Sequence, residues 1–491
     1  MIPSTWLPYL APEISLVLWA MILLLAEAFL ELSSRTLAAI AQACLLFAAA
    51  VTLCADSTPV LFWSGMAQWD GAAKFFHLFF LAVASLVIWM GDEVQKPVNH
   101  GAGEFVILPL FTTAGLMLLS LANDFMLLFI ALELVTISFY ILVAYQRRSL
   151  VALEAGVKYL ILGGLSSAFL VMGVAYIFGL TGTTQFDLIA AHIQNHELSA
   201  GVALGLLLVL AGVGFKIAMV PFQSWAPDVY EGAPNSITAF LSVGSKAGGL
   251  IILIRIVLGV FNTPAAMAVW VPMLTFGAIA SLILGNLAAI PQRGLKRMLG
   301  YSSIGHSGFI LVAVVGAASV TAGEYAMGQV AITVYLVSYL LASFAAFIVL
   351  AVLERRLPGL EIHHLAGLSQ RSPLLAATFA LSLVSLAGIP PLSGFIAKFL
   401  VILVAWNSGL YTLLFFTIFA AVAALYYYLG PIKAMYWSEP LDATPIEVNP
   451  ITKGVLIVLI VLLIGTGFWP QSLSLLVSGA TLGKPEMVAR P

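Results

Sequence analysis

The chain has 491 residues, of which 62% are hydrophobic and 9% are charged, whereas soluble domains carry about 25% charged residues. This composition excludes a water-soluble protein and is typical of a single polytopic membrane domain, because no stretch between the apolar runs is long enough to fold alone. The net charge of -2 and the lack of a basic patch argue against nucleic acid as a partner and against a tether to anionic lipids.

Runs of about 20 apolar residues, the length that spans a bilayer core, recur along the chain. They predict an all-α membrane protein with about 14 transmembrane helices, which start near residues 11, 36, 73, 104, 125, 154, 200, 236, 267, 296, 325, 373, 409 and 452. The first run contains Glu27 and lacks a positive leader, so we expect a retained helix and not a signal peptide. Cys44 and Cys54 fit neither a metal motif nor a disulfide framework, and we expect two buried, inert thiols.

The connections between the predicted helices differ in their content of Lys and Arg. With the N-terminus outside, the inside connections hold Arg35, Lys96, Arg147, Arg148, Arg293, Lys296, Arg297, Arg355, Arg356, Arg371, Lys433 and Lys453. The outside connections and the C-terminal tail hold Lys74, Lys484 and Arg490. Because positive residues favour the inside, this bias predicts that both termini lie outside and that the helix count is even.

Five cations lie inside predicted helices: Lys158, Lys216, Lys246, Arg255 and Lys398. Charges inside hydrocarbon are costly, so we expect that the lysines are retained for ion movement. Arg255 lies near the outer end of its helix, where we expect the side chain to snorkel to the surface. Lys158 follows Glu154 by one turn, so it is either half of an interfacial salt bridge or a proton carrier.

Prolines interrupt two of the lysine-bearing helices. Pro221 follows Lys216 by five residues and breaks the seventh helix, whereas Pro390 and Pro391 break the twelfth helix before Lys398. Backbone groups freed at such a break are tolerated only where they line a cavity or pack on protein. Two acidic residues, at 228 and 231, mark the segment after the first break as a loop.

The two breaks predict an internal repeat. Interrupted helices in matching places of two halves indicate a transporter built from repeats, and five helices separate the seventh from the twelfth. An odd repeat length makes the second copy enter the membrane from the opposite side, so the repeats are inverted. We therefore expect three N-terminal helices (1–103), a first five-helix repeat (104–262), a second (263–436), and a last helix with its tail (437–491).

Glu133 is the acidic residue closest to the middle of a predicted helix, the fifth, in the stretch FIALELVTISF. It lies nine residues past Asp124, about 13 Å at a helical rise of 1.5 Å per residue. An isolated carboxylate there would take up a proton, whereas a nearby lysine would keep both groups charged. We expect Glu133 to be buried and to pair with Lys216 or Lys158, either in proton transfer or as a static ion pair.

His306 lies in the tenth helix, in the stretch LGYSSIGHSGF, beside serines that could hold water. It is either a packing residue or a proton relay between the lysines, and the relay is our interpretation. His77, with only Lys74 beside it, is expected to be structural. The sequence lacks GxxxxGK[ST], GxGxxG, HExxH and CxxC motifs, so nucleotide, metal and iron–sulfur chemistry is expected in partners, if it occurs.

These residues lie in stretches that resemble the antiporter-like subunits of proton-translocating NADH–quinone oxidoreductase, respiratory complex I, and above all its N subunit, called subunit 2 in plastids and mitochondria. The likeness covers the fifth to the thirteenth helix and is most specific between residues 214 and 234. The matching stretches are LELVTISFY, LEAGVKYLIL, GFKIAMVPFQSWAPDVYEGAP, the SK dipeptide at Lys246, GNLAAIPQRGLKRMLGYSSIGHSGF, SLAGIPPLSGFIAKF and LYYYLGPIK.

The resemblance implies a bacterial inner membrane protein without a cofactor of its own, which moves protons while partner subunits hold NADH, FMN, iron–sulfur clusters and quinone. Its implied partners are the other membrane and peripheral subunits, including sister antiporter-like subunits. Glu133 and Lys216 match the charged pair of the family, Lys246 the connecting lysine and Lys398 the second broken-helix lysine. The lysine at 398 and the short tail favour N over the sister M and L subunits.

One position departs from the resemblance. Relatives often have histidine where Gln223 stands, so water or Glu133 would replace a titrating group just past the first break. Two other readings remain open. A subunit of a multisubunit cation/proton antiporter or of a membrane-bound hydrogenase would share the fold, and a purely structural membrane anchor would explain the apolar helices and the inside arginines.

Overall fold

The computed structural model describes residues 6–30, 32–94, 102–318, 322–357, 359–440, 442 and 444–469. In these residues, twelve helices are long and apolar enough to cross a membrane. Two further segments, the seventh and the twelfth predicted helices, are each broken into two shorter helices. The predicted all-α membrane fold with about 14 transmembrane helices is confirmed.

The helices and strands follow one another along the chain. The three N-terminal membrane helices and the hairpin are α1 (Leu7–Leu30), α2 (Ser34–Cys54), β1 (Val60–Phe62), β2 (Ala67–Trp69) and α3 (Gly71–Trp89). Next come α4 (Ala102–Leu121), α5 (Phe125–Val143), α6 (Leu150–Thr181), α7 (Phe186–Asn195), α8 (Ala200–Lys216), α9 (Trp225–Gly232), α10 (Asn235–Phe240) and α11 (Lys246–Ile254). The remainder comprises α12 (Pro264–Ala289), α13 (Leu295–Ala318), α14 (Ala322–Glu354), α15 (Leu368–Arg371), α16 (Pro373–Ala387), α17 (Ser393–Asn407), α18 (Tyr411–Trp437) and α19 (Pro450–Phe468).

The eighth membrane segment, Asn235–Val260, is continuous but changes its winding twice. α10 and α11 are joined by a π-helical turn at Leu241–Ser245, and a second π turn, Arg255–Val260, ends the segment. Such π turns occur frequently at functional sites. The first of them comes directly before Lys246 and therefore sets the direction of this side chain.

Connections that the sequence predicts on one side of the membrane contact each other. On the side rich in Lys and Arg, called the inner face below, Arg297 contacts Asp228 at 2.7 Å, and Arg35 contacts Glu93 at 3.6 Å. On the opposite, outer face, Asn123 donates hydrogen bonds to the β1–β2 hairpin and to α7. Three of the lysines and arginines counted in the connections, at positions 96, 484 and 490, lie outside the described residues.

Three local predictions are wrong. The Arg255 side chain does not extend to the surface. It is 12% exposed and pairs with the buried Asp70 carboxylate at 3.1 Å, which neutralises the guanidinium inside the protein. Cys44 is buried as predicted, but Cys54 is exposed at the end of α2. The segment after the first break is not a loop, since residues 225–232 form α9.

Candidate functional site

The first break places Lys216 at the end of α8 and exposes backbone groups inside the protein. The carbonyl of Phe215 accepts a hydrogen bond from the Trp225 indole at 2.9 Å, and the carbonyl of Ile217 accepts one from the Ser307 hydroxyl. Side chains of α9 and α13 thus bind carbonyls at the end of α8, which helps to make the break stable at membrane depth.

Lys216 is buried, with 4% of the residue exposed. Its Nζ has no hydrogen-bond partner among the described residues. α11 passes the lysine at Gly249, where an added Cβ would lie 2.9 Å from the Lys216 Cβ. Only glycine allows this approach, which brings Lys216 beside the helix that begins with Lys246.

Lys246 is 3% exposed and is held by α13. Its Nζ donates to the carbonyl and to the hydroxyl of Ser303, at 2.5 and 2.6 Å. The Ser303 hydroxyl also lies 2.7 Å from the hydroxyl of Tyr230. The ring of Tyr339 lies 5.4 Å from the ammonium, a cation–π contact. Lys246 therefore lies among hydroxyl groups, each of which can donate and accept a hydrogen bond.

His306 links this cluster to the other half of the chain. Its Nδ1 lies 2.6 Å from the hydroxyl of Tyr335, and its Nε2 lies 3.2 Å from the hydroxyl of Tyr428. The Tyr428 hydroxyl also contacts the hydroxyl of Ser302, the residue next to the one that holds Lys246. A neutral imidazole donates from one nitrogen and accepts at the other, so His306 can pass a proton from one tyrosine to the other.

The second break places Lys398 in α17. Its Nζ donates to the carbonyl of Ala387 at 2.9 Å, a carbonyl freed where α16 ends. Gly388 follows with φ of 84°, a left-handed conformation in which glycine pays no Cβ penalty. A cavity of about 10 Å³, roughly the size of one water, lies between Lys398, His306 and Tyr335.

The partner predicted for Glu133 is wrong. Glu133 is half-buried on α5, and its Oε1 accepts a hydrogen bond from the Ser167 hydroxyl at 2.5 Å. Lys216 makes no hydrogen bond within the described part of the chain, and Lys158 bonds to other carboxylates. The Glu133 charge acts on Lys216 through space only. Ser167 of the neighbouring helix α6 donates this hydrogen bond to the carboxylate. A serine loses less conformational entropy in such a contact than a long lysine side chain does.

Lys158 lies in a salt-bridge network at the inner face and is 42% exposed. Its Nζ contacts Glu154 and Asp228, each at 2.7 Å, and Arg297 binds the other oxygen of Asp228. Partial burial acts to raise the pKa of Asp228, but the hydrogen bonds from the lysine and the arginine hold that pKa below its usual value. The salt-bridge reading of Lys158 fits this geometry, and its pathway role stays a prediction.

Sequence reasoning missed the tyrosine hydroxyls and one buried pair. Tyr335 and Tyr339 are spaced i,i+4 on α14, the only signal that could have indicated one shared face. His77 is not without a partner, because its Nε2 lies 3.1 Å from the Glu13 carboxylate on α1, and both residues are buried. Sixty-four residues separate the two, so no local pattern predicts the pair.

Gln223 lies just after the first break, at the position where the resemblance implies a histidine. Its Oε1 is buried without a hydrogen-bond partner in the described part of the chain. A buried amide oxygen of this kind is a binding point for water. No group of three or more His, Cys, Asp or Glu side chains suited to a metal ion occurs among the residues described.

Comparisons of sequence and of structure identify the family to which the chain belongs. The profile of the family described as "NADH:quinone oxidoreductase/Mrp antiporter, TM" matches residues 122–424, which include both breaks. NADH-quinone oxidoreductase subunit N of Rhodospirillum rubrum is 39% identical over 440 residues, 88% of each chain. This match therefore covers more of the chain than the family profile does.

Two solved structures are similar over nearly their whole length. A chain of respiratory complex I from Thermus thermophilus with bound aureothin has a TM-score of 0.80 and 30% identity, with coverage of 95% of this chain and 100% of that one. A chain of the Mrp complex from Dietzia has a TM-score of 0.83 at 20% identity, with 96% of each chain covered, a likeness of fold alone. With its broken helices and buried lysines, the chain belongs to the NADH:quinone oxidoreductase/Mrp antiporter membrane family, among the relatives named NADH-quinone oxidoreductase subunit N.

Proposed function

We propose that this chain is a proton-translocating membrane subunit of an NADH–quinone oxidoreductase, and that it moves protons along a buried chain of lysine, hydroxyl and imidazole groups. The observation that carries the proposal is the series of contacts between Lys246 and Lys398. Lys246 contacts Ser303, and the next residue of α13, Ser302, contacts Tyr428, which contacts His306 beside a cavity of one water at Lys398. The two serines are joined by their adjacency along α13 and not by a hydrogen bond.

The residues of this chain perform each transfer. A proton taken up at the inner face reaches Lys216, where the Glu133 charge stabilises the ammonium from a distance. Two ammonium groups in a low dielectric repel each other, so loading Lys216 favours proton release from Lys246 towards Ser303 and His306. From there the proton reaches Lys398 and leaves at the outer face. Water at Gln223 takes the place of the histidine that the resemblance implies.

Quinone reduction in other subunits drives this movement. NADH, FMN, iron–sulfur clusters and quinone bind to those partners, and this chain contributes no redox group of its own. Its neighbours are peripheral and membrane subunits, including sister antiporter-like subunits. The protein lies in a bacterial inner membrane with both termini outside, and the broken helices belong to two inverted repeats, residues 104–262 and 263–436, which follow the helices of 1–103 and precede 437–491.

Replacing Lys216 by alanine tests the proposal. In the assembled complex, the change should strongly lower both proton pumping and quinone reduction, because the buried ammonium is the first group of the chain. Lys216→Arg should impair both as well, since a guanidinium does not release protons. The matched control is Lys453→Ala, which removes an exposed lysine. Full pumping and full turnover in Lys216→Ala would refute the assignment.

A subunit of a multisubunit cation/proton antiporter is the second candidate, favoured by the similarity of fold to the Mrp complex. Affinity purification of the native assembly separates the two. Flavin-containing and iron–sulfur partners with quinone-dependent NADH oxidation would support the first function. Partners without redox groups, together with sodium-dependent proton exchange, would support the second.

A further inference from the structure

An opening from the inner face into the protein lies at the ends of α10, α13 and α14. This opening, called the inner vestibule, has a volume of about 420 Å³, enough for on the order of ten water molecules. Its polar lining is formed by Gln146, Ser149, Glu231, Asn235, Lys296, Glu354 and Arg355. No transfer step described above uses any of these side chains.

The charges of the inner vestibule balance. Two carboxylates, Glu231 and Glu354, face two cations, Lys296 and Arg355. A site with this balance suits water and protons better than an anionic headgroup. Glu231 forms a salt bridge with Arg297 at 2.8 Å. Glu354 is the other carboxylate that lines the opening.

Glu354 is held by one hydrogen bond and one longer contact with a lysine. Its Oε2 accepts a hydrogen bond from the Asn235 amide at 2.6 Å, and its Oε1 lies 3.7 Å from the Lys296 ammonium. That ammonium donates its close hydrogen bond elsewhere, to the carbonyl of Ala233 at 2.8 Å. The side chain of Glu354 is 24% exposed, so water reaches the carboxylate.

Asn235 lies between this carboxylate and the interior. The residue is 2% exposed, and its Oδ1 is buried without a hydrogen-bond partner in the described chain. An unpaired amide oxygen in a polar cavity is a place where an ordered water binds. A water there would lie next to Glu354 on the protein side of the inner vestibule.

The helix segment that begins at Asn235 leads to Lys246. Ser242 and Lys246 follow Asn235 by seven and eleven residues along this segment, across the π turn at Leu241–Ser245. A second cavity of about 10 Å³, lined by Tyr230, Ser302, Tyr339 and Ser343 among others, can hold one water beside the hydroxyls around Lys246. The Tyr230 and Phe347 rings, 6.4 Å apart, also line this cavity.

We propose that Glu354 is the carboxylate that collects protons from the inner solution for Lys246, and that Asn235 is the gate between them. The Glu354 carboxylate takes a proton from water in the inner vestibule and becomes a neutral acid. When water hydrates the gate, the acid gives its proton to that water, and the proton passes on through the water and the hydroxyl groups of the second cavity to the neutral amine of Lys246. The carboxylate and an ammonium are then left, and the ammonium passes its proton towards Ser303. This inference rests on the proposed function.

Glu354→Gln tests the inference in the assembled complex. The amide keeps the shape and the contact with Asn235 but cannot carry a proton, so the pumping rate should fall by about tenfold. This loss is smaller than the hundredfold typical of a positioned acid–base group, because water can bring some protons to the gate. Glu354→Asp should restore most of the rate, and Glu439→Gln, at an exposed inner-face carboxylate, should have no effect. Unchanged pumping in Glu354→Gln would overturn the proposal.

Thiol labelling tests the inner vestibule itself. In a complex whose Cys44 and Cys54 are replaced by alanine, Ala351→Cys lines the opening, whereas Ala345→Cys is buried deeper in the same helix. A membrane-impermeant thiol reagent applied from the inner face should label residue 351 and not residue 345. Absence of labelling at both positions would overturn the proposal, as would equal labelling of both.

The outcomes separate this inference from the function on which it rests. Loss of pumping in Lys216→Ala together with normal pumping in Glu354→Gln would leave the lysine chain intact and reject Glu354 as its proton collector. Normal pumping in both variants would reject the proposed function. Loss in both, with rescue by Glu354→Asp, is the result we expect.

Discussion

The side chains around the buried lysines are joined by hydroxyl groups at hydrogen-bonding distance. Ser303 holds Lys246, and His306 lies between the hydroxyls of Tyr335 and Tyr428. A hydroxyl group can accept one hydrogen bond while it donates another. A row of such groups can therefore transfer a proton with little movement of the heavy atoms. At the scale of residues, the tyrosines are therefore as important to the account as the lysines.

Removal of one hydroxyl should interrupt the row. Tyr428→Phe keeps the buried ring but breaks the contacts with Ser302 and His306, so we expect pumping to fall several-fold while the complex still assembles. Tyr411→Phe is the matched control, since that side chain lies on the same helix and is 63% exposed. Proton uptake by vesicles that contain each variant measures the effect. Equal rates in Tyr428→Phe and in the control would exclude the hydroxyl from the route.

The predictions for single residues succeeded for the burial of the lysines, which follows from their apolar surroundings in the sequence. They failed for a hydrogen-bond partner that lies far away in the sequence. Lys216, Lys246 and Lys398 are buried as expected, because a lysine in an apolar run has few other places to lie. The partner of Glu133 proved to be Ser167, 34 residues away. Helix rotation and helix neighbours decide such a contact, and a sequence that is apolar all round gives little information about either.

At the scale of elements, the breaks were predictable because proline cannot continue a helix and its position is visible in the sequence. α9 was not predictable in the same way. Its two acidic residues indicated a loop, but Asp228 is neutralised by Lys158 of α6 and Arg297 of α13, which allows a helix to form at the inner face. The π turn before Lys246 also has no sequence signature that we could identify.

The pairing of Asp228 makes the packing of α9 dependent on pH. The pKa of Asp228 is below its usual value in the folded protein, so its stabilising effect is present above the unfolded pKa and is lost as the pH falls through the folded pKa. We expect Asp228→Asn to lower the thermal midpoint of the purified protein at neutral pH. The difference from the wild type should start to shrink as the pH falls to about 4, the ordinary pKa of aspartate, and should disappear only at lower pH, below the pKa of Asp228 in the folded protein.

Thermal denaturation of both proteins over this pH range makes the comparison. Glu439→Asn is the control, because it removes an exposed carboxylate of the inner face. A difference between Asp228→Asn and the wild type that stays constant from neutral to acid pH would show that the charge of Asp228 does not hold α9.

At the scale of the whole molecule, the two breaks occupy the seventh and the twelfth membrane segments. Lys246 lies between them in the sequence and contacts α13, a helix of the second half of the chain. α13 contributes to both sides, since Ser303 holds Lys246 while His306 borders the cavity of Lys398. Helix number, the breaks and the family were predictable from length, proline positions and specific stretches. The route between the lysines was not, because it depends on tyrosines contributed by α14 and α18 from far along the chain.

Proton pumping by Lys246→Met in the reconstituted complex tests the central claim most directly. Methionine fills the space of the lysine stem without a titrating group, and loss of a buried charge need not destabilise the fold. The control is Lys433→Met, which removes an exposed lysine of α18. We predict that Lys246→Met assembles normally and pumps at close to background, whereas the control pumps normally. Full pumping by Lys246→Met would contradict a proton route through the buried lysines and would favour a structural role for this chain.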